Sequence, residues 1–346
     1  MIDFPSSPSI GQIFTAAGCS WRWNGVKWVA NTPAAVPAND IGRNLIHNPM
    51  FNVGQRGAGP FTVNGYTADR WGIVGVGGDT FNVSRSVLND TQRSQIGDEA
   101  AAFCLQNTVT GTAAAGAGTF AYQAIEDVRR LAGKTITVSF WANTGTGLHV
   151  GVSCSQVFGT GGSPSPTVNV NGQSFTLTGT WTRYSATFTL PSVSGKVLGT
   201  NNDHSTTLYF WYSAGANFAV QAGSPGVQSG IINLWGVQLE IGSTATPLEK
   251  PDPRYDLSNC QRFYRVTQVQ GGGYAVAGTV VQAQGHAPVT MRAQPTMVET
   301  SDGSSNLGTA GYAATNPGVG NVTITATAPA TGQWYMNKLF SLSADL

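Results

Sequence analysis

Residues 135–143, TITVSFWAN, alternate apolar and polar positions, so that Ile136, Val138 and Phe140 fall on one side of a pleated strand and Thr137, Ser139 and Trp141 on the other. Residues 182–190, TRYSATFTL, do the same: Tyr184, Ala186, Phe188 and Leu190 share a face opposite Arg183, Ser185, Thr187 and Thr189. The runs TTLYFWYS and GIINLWGVQLEIG are apolar on both faces, as strands in the middle of a sheet must be. Gly, Asn, Ser and Pro clusters separate these segments. Together they predict an all-β chain whose central part, residues 44–255, is a two-sheet sandwich. One stretch departs from the period of two. In YQAIEDVRRLAGK, Ile125, Val128 and Leu131 fall on helical spacing with Gly133 as the stop, which predicts one short helix.

The last predicted strand of this region leads into GSTATPLEKPD. In strict alternation Leu234, Gly236, Gln238 and Glu240 share a face, and Pro247, Pro251 and Pro253 then rule out continued helix or ladder pairing, so a stiff exit is expected. Residues 256–268, DLSNCQRFYRVTQ, open either with a short helix or with the first strand of a new unit, burying Leu257, Cys260, Phe263 and Tyr264. Alternation returns at TVVQAQ, PVTMRAQPTM and NVTITATA, which makes residues 256–346 a separate C-terminal β module. At the other end, residues 1–32 form a small N-terminal β unit. Two alternating stretches there flank Asn24-Gly25, a strong hairpin signal, and bring Trp21, Trp23 and Trp28 into cross-strand reach. Residues 33–43, rich in Pro and Ala, join this unit to the sandwich as a linker.

Of the 346 residues only 10% are charged and the formal net charge is +1, so surface polarity comes from Ser, Thr, Asn and Gln. The long-range field that steers a protein onto nucleic acid or an anionic membrane is missing, and the expected partner is uncharged or another protein. A run of about 18 apolar residues, the mark of a membrane span, is absent. The opening MIDFPSSPSIG lacks the features of a signal peptide, which makes folding in a cytoplasm the expectation. Cys19, Cys104, Cys154 and Cys260 lie far apart and are expected to be buried thiols.

Candidate chemistry is sparse. Glu126, Asp127, Glu240, Glu249, Asp252 and Asp256 are the acidic residues in or beside predicted elements, and none falls in a pattern that marks a glycosidase pair. Glu126 and Asp127 are expected to cap and to pair with Arg129 or Arg130. His47, His149, His204 and His286 show no metal-ligand spacing, and GTNNDHSTT lacks the acidic alternation of a calcium loop. No nucleophile elbow or phosphate loop occurs, so the chain is not expected to be an enzyme. Neutral glycans, by contrast, need aromatic faces and uncharged hydrogen-bonding groups. Trp141, Tyr209 and Trp211 are candidates for such a platform, with a second layer of the sandwich or a subunit contact as the other reading; Tyr274, His286, Tyr312, Trp334 and Tyr335 are candidates for a distal pocket.

The blocks NLIHNPMFNVGQRG, YTADRWGI, IEDVRRLAGKTITVSFWAN, TGTWTRYSATFTLPS, LWGVQLEIGSTATPLEKPDPRYDLSNCQRFYRV and VTMRAQPT follow one another as in bacteriophage tail fibre and virion fibre proteins built around a carbohydrate-binding-module-like jelly roll. The chain resembles that family over residues 40–290, and FPSSPSIGQIFTAAGCSWRWNGVKWV looks like the small amino-terminal unit many such proteins carry. Residues 297–346 depart from it. The resemblance implies a jelly roll closed by the WGVQLEIGSTATPLE strand, whose Gln and Glu side chains orient neighbouring loops, and it allows a structural calcium but no other cofactor. It also implies a virion subunit made in the host bacterial cytoplasm. Such a subunit would attach to other virion proteins through the N-terminal unit, trimerise, and bind host cell-surface polysaccharide through its distal module, with neither nucleic acid nor membrane insertion. Small β modules of low charge gain stability by burying apolar faces between copies, which favours a homotrimer on physical grounds as well. Two other readings stand beside it: a purely structural virion linker or decoration protein, and a polysaccharide depolymerase.

Overall fold

Asn24 turns the chain back on itself by accepting the backbone N–H groups of Val26 and Lys27 at 3.0 and 2.9 Å, while Gly25 takes φ +96°. This turn joins β2 (Cys19–Trp23) to β3 (Trp28–Ala30), and β1 (Ile13–Ala16) pairs with β2 on the other side. Trp23 and Trp28 meet across the hairpin at 5.7 Å, as expected, and Phe4 and Phe14, which the sequence did not single out, cluster with Trp21 and Trp28. The computed structural model describes residues 4–16, 19–30, 42–145, 147–314 and 322–346, so the expected linker falls, apart from residues 42–43, outside the described residues. Residues 1–42 form one compact unit and residues 43–346 a second.

Within the second unit the alternating segments become two antiparallel sheets. One contains β4 (Gly65–Tyr66), β5 (Gly72–Val76), β8 (Gly118–Glu126), β10 (His149–Val157), β11 (Val168–Thr176) and β13 (Ser205–Ala214), in the order β11-β10-β13-β8-β5-β4. The other contains β6 (Thr80–Val87), β7 (Phe103–Thr110), β9 (Thr135–Thr144), β12 (Thr182–Thr189) and β14 (Ser229–Ile241), in the order β12-β9-β14-β7-β6. The chain moves repeatedly between the two sheets, and the result is an all-β jelly-roll sandwich. Ile136, Val138, Phe140, Ala186, Phe188 and Leu190 point inward, as their period predicted, and meet Val152, Leu208 and Phe210 of the facing sheet. Phe140 packs edge-on to Phe210 at 5.0 Å.

Two expectations are corrected. The predicted helix at YQAIEDVRRLAGK is instead the end of β8 followed by a 3₁₀ turn, Val128–Arg130. Ala121, Gln123 and Ile125 keep strand alternation, and Val128 and Leu131 are buried through a turn whose period of three mimics the spacing of a helix. Strict alternation also fails in β14. Leu234, Val237 and Leu239 face the core while Trp235, Gln238 and Glu240 face outward, because a β-bulge lies between Trp235 and Gln238 and Gly236 takes φ +60°.

Part of the outward face of this second sheet is covered. A helix, α1 (Asp90–Ile96), and the segment after β14 enclose Met50, Leu88, Trp181 and Trp235 in a satellite core. Glu240 accepts from Thr246 and Gln238, and Gln238 in turn accepts the backbone N–H of Glu249 at 2.7 Å. The exit loop is thus held as the resemblance implied. Pro253 does not exclude helix: it occupies the first turn of α3 (Pro253–Gln261), where a missing N–H costs nothing, and Asp252 caps it. A further short helix, α2 (Ala219–Ala222), lies earlier, between β13 and β14.

Beyond α3 the ambiguous stretch at 256–268 turns out to hold both elements, since β15 (Tyr264–Ala275) follows directly. β16 (Val280–Gly285), β17 (Thr296–Asp302), β18 (Gly311–Ala314), β19 (Val322–Thr327) and β20 (Gly332–Ser343) complete two three-stranded sheets, β15-β20-β17 and β16-β19-β18. They share their own core, built on Val269, Ile324, Met336 and Phe340. This module joins the sandwich through polar contacts: Arg56 with Asp345 at 2.6 Å and Arg262 with Glu126 at 2.9 Å. The Arg70 guanidinium lies over the Phe263 ring at 3.4 Å.

Candidate functional site

The outward side of the six-stranded sheet is built by register. Tyr209 of β13 stands opposite Tyr122 of β8, and Trp211 opposite Phe120; on the flanks Ser153 pairs with Tyr209, Ser155 with Thr207, Gly72 with Tyr122 and Val74 with Phe120. Residues paired in this way share a face, so the centre of the sheet carries an aromatic strip bordered by hydroxyls. Phe120 contacts Trp211 at 4.5 Å and Tyr209 edge-on at 5.4 Å, and Tyr66 reaches Tyr122 at 5.9 Å. Gly72 leaves the space that the Tyr122 ring fills, since a Cβ there would strike it.

Two boundaries limit the strip. At one end α2 crosses the sheet so closely that the Ala222 carbonyl occupies the place of a Cβ on Gly151, and Phe218 packs on Trp211 at 5.3 Å. At the other, the Tyr66 hydroxyl donates to the Leu346 carbonyl. Between them Phe120, Tyr122 and Tyr209 remain half-buried with part of each ring exposed. Burial raises the Tyr209 phenol above its ordinary value, and the nearby Ser155 and Thr207 hydroxyls partly offset that rise. Glu126 is the one carboxylate among the strand residues of this face, and Arg262 neutralises it. An uncharged floor of part-exposed aromatic rings over buried hydroxyls can take the C–H face of an uncharged polar molecule.

The sequence-derived residues scatter over several surfaces. Tyr209 lies in the strip. Trp211 is 1% exposed and donates its indole N–H to Ser153 at 2.9 Å, so it supports the sheet and has no free face for a ligand. Trp141 lies on the other sheet, edge-on to Trp235 at 5.3 Å and under the Arg183 guanidinium. In the C-terminal module, Trp334 turns inward over Gly271 and Gly273, whereas Tyr335 points outward beside Gly272. Tyr274, 68% exposed, shares that outer face with Tyr335, 43% exposed, and with Gln268, Gln270 and Asn337. His286 is exposed just after β16, on the other sheet of the module, and the Tyr312 side chain lies outside the described residues. The structure therefore brings Tyr274 and Tyr335 together and separates them from the remaining candidates. Phe120 and Tyr122, which sequence reading missed, alternate with Ala121 in GTFAYQAIE; that alternation was the available signal.

Among the described residues, two of the carboxylates near these surfaces are committed to local contacts. Asp127 caps the 3₁₀ turn and pairs with Arg129 at 2.8 Å, and Asp203 accepts from both the amide and the hydroxyl of Thr160. Among the described residues no group of three or more His, Cys, Asp or Glu side chains is placed to hold a metal ion. Cys104, Cys154 and Cys260 are free and buried.

No family model matches the chain, and no curated protein matches it. Among solved structures it is similar to the enzymatically active domain of tailspike protein 4 of bacteriophage CBA120, at 15% identity over 58% of this chain and 22% of that one, with a TM-score of 0.34. It is also similar to the family 11 carbohydrate-binding module of the cellulosomal cellulase Lic26A-Cel5E of Clostridium thermocellum, at 12% identity over 55% of this chain and 98% of that one, with a TM-score of 0.34. A third similar structure is the CBM22-1 xylan-binding domain of Xyn10C from Paenibacillus barcinonensis, at 12% identity over 58% and 96% of the two chains, with a TM-score of 0.30. The chain spans about a fifth of the length of the tailspike chain it matches, 22%.

Proposed function

We propose that this protein is a non-enzymatic, glycan-binding fibre subunit of a phage or phage-like particle, which recognises polysaccharide on the host cell surface. The observation that carries the reading is the uncharged aromatic strip of Phe120, Tyr122 and Tyr209, half-buried side by side on one face of a six-stranded sheet. Sugar rings stack on aromatic faces through their C–H surfaces, while phenol hydroxyls can bond ring substituents. The outer face that carries Tyr274 and Tyr335 supplies a second surface of the same chemistry.

Each such contact is weak on its own. Homotrimeric assembly multiplies the contacts through effective concentration, and the small N-terminal unit is the part that would join the subunit to other virion proteins. Retention of the purified full chain on immobilised bacterial surface polysaccharides, followed by sizing of the polymer, tests the reading. Retention with unchanged polymer length is the expected result. Failure to bind every polysaccharide offered overturns glycan recognition, and shortened polymer overturns the non-enzymatic role.

A further inference from the structure

Asp256 stands in the first turns of α3, and its side chain points into a pocket that the glycan-binding face does not use. The residue is 4% exposed, and its Oδ1 accepts the backbone N–H of Asn48 at 2.7 Å. No donor among the described residues reaches Oδ2, and no Lys, Arg or His among them forms an ion pair with Asp256. That oxygen is not sealed in the protein: it opens into a pocket of about 400 Å³ lined by Met50, Val53, Pro251, Pro253 and Leu257 on its apolar side and by the segment 52–55 on the other.

The charged groups nearby leave this carboxylate uncompensated. Asp69 adds like charge to the Asp256 site, and Cys260 lies one helical turn further on. Arg56 and Arg70 face Asp69 and Asp345, Arg85 lies behind Gly54, and Arg254 is committed to Asp252. Burial pushes the Asp256 carboxyl up to about 6, so near neutral pH it is an anion with no ion-pair partner at the base of a largely apolar cavity.

We propose that this pocket binds a primary ammonium group carried on a small carbon framework, with its N–H donors on Asp256 Oδ2 and its carbon skeleton against the proline and aliphatic walls. A guanidinium fits less well, because bidentate pairing needs both carboxylate oxygens and Asn48 already holds one. Hard divalent cations favour sites with several anionic oxygen ligands, and Asp256 is the one carboxylate in this lining. A compact ammonium needs a single anionic acceptor and tolerates apolar surface along its stem. The pocket volume suits a ligand of small-molecule size.

The test is calorimetric titration of the full chain at pH 7 with glucosamine, N-acetylglucosamine and the amide of Nα-acetyllysine. The expected result is binding of at least one of the two amines and none of N-acetylglucosamine, with affinity falling about tenfold at pH 5 as the carboxylate gains its proton. Binding of glucosamine alone identifies a free amino sugar as the source of the ammonium, and binding of the lysine amide alone identifies a peptide. Asp256→Asn should weaken binding tenfold or more. Leu257→Trp, which fills the exposed mouth and keeps the carboxylate, should do the same, so that the test survives if the first variant does not fold. Absence of binding by both amines, equal binding of N-acetylglucosamine, or unchanged affinity in both variants would overturn the proposal.

Discussion

Thr246 donates to Glu240 twice, from its backbone amide at 2.9 Å and from its hydroxyl at 2.7 Å, so the last core strand is tied to a loop six residues downstream. Gln238 adds a third donor at 2.8 Å and Arg43 a charge at 3.3 Å. Three donors and a cation offset the cost of burying this carboxylate. Thr246→Ala should therefore cost about 1–3 kcal/mol. Glu240→Ala should cost more, about 3–5 kcal/mol, because it strands Arg43 and Gln238. Urea unfolding followed by tryptophan fluorescence measures both.

Gly236 carries the bulge that reverses the faces of β14. Its φ is +60°, and a Cβ there would approach the Trp141 ring at 2.8 Å. Gly236→Ala should lower stability by about 1–3 kcal/mol through the left-handed backbone alone, with further loss if the Trp141 ring cannot yield. A shift of the urea midpoint with unchanged slope is the expected signature.

That bulge also shows where sequence reading stops. β9 and β12 were legible because Ile136, Val138, Phe140, Ala186 and Phe188 keep one parity from end to end. In β14 parity changes at a single glycine: Gly236 in LWGVQLE was the available sign of a bulge, but strict alternation reads through it. The end of β8 was mistaken for a helix since Ile125, Val128 and Leu131 repeat every three residues, a spacing common to a helix and to a strand running into a 3₁₀ turn. The candidate site was legible in kind, as aromatic residues among hydroxyls, but only Tyr209 of the predicted platform lies in it. Trp211 is hidden by Phe218 and α2, and Trp141 belongs to the opposite sheet; both outcomes depend on tertiary placement that local patterns do not encode.

Asp256 predicts a pH dependence of stability with a definite sign. Its carboxyl ionises near 6 in the fold, against 3.8 without the fold, so the unfolded chain loses the proton first. The contribution is fully present below 3.8 and is lost as pH rises through about 6. Asp256→Asn should remove this slope, raising stability at pH 7.5 by at most about 3 kcal/mol and leaving it unchanged at pH 3.5. Thermal melts of both proteins across that range check it.

Burial pushes the thiols of Cys104 and Cys154 up to about 12 and raises that of Cys260 as well. Since the thiolate is the reactive form, all three should resist iodoacetamide at pH 8 in the folded protein and react fully in denaturant. Mass mapping of the alkylated peptides reads each site separately.

The central claim is that the strip on the six-stranded sheet holds an uncharged glycan, and paired substitution at its exposed rings tests it most directly. Binding of the full chain and of the Tyr122→Ala and Tyr209→Ala variants should be measured on an array of bacterial surface polysaccharides, at low salt and at about 0.5 M salt, where electrostatic attraction is screened beyond a few ångströms. The account predicts that the unaltered chain binds a subset of polysaccharides equally at both salt concentrations, and that each variant, still folded, loses tenfold or more. Binding that survives both substitutions, or that vanishes with salt, would contradict it.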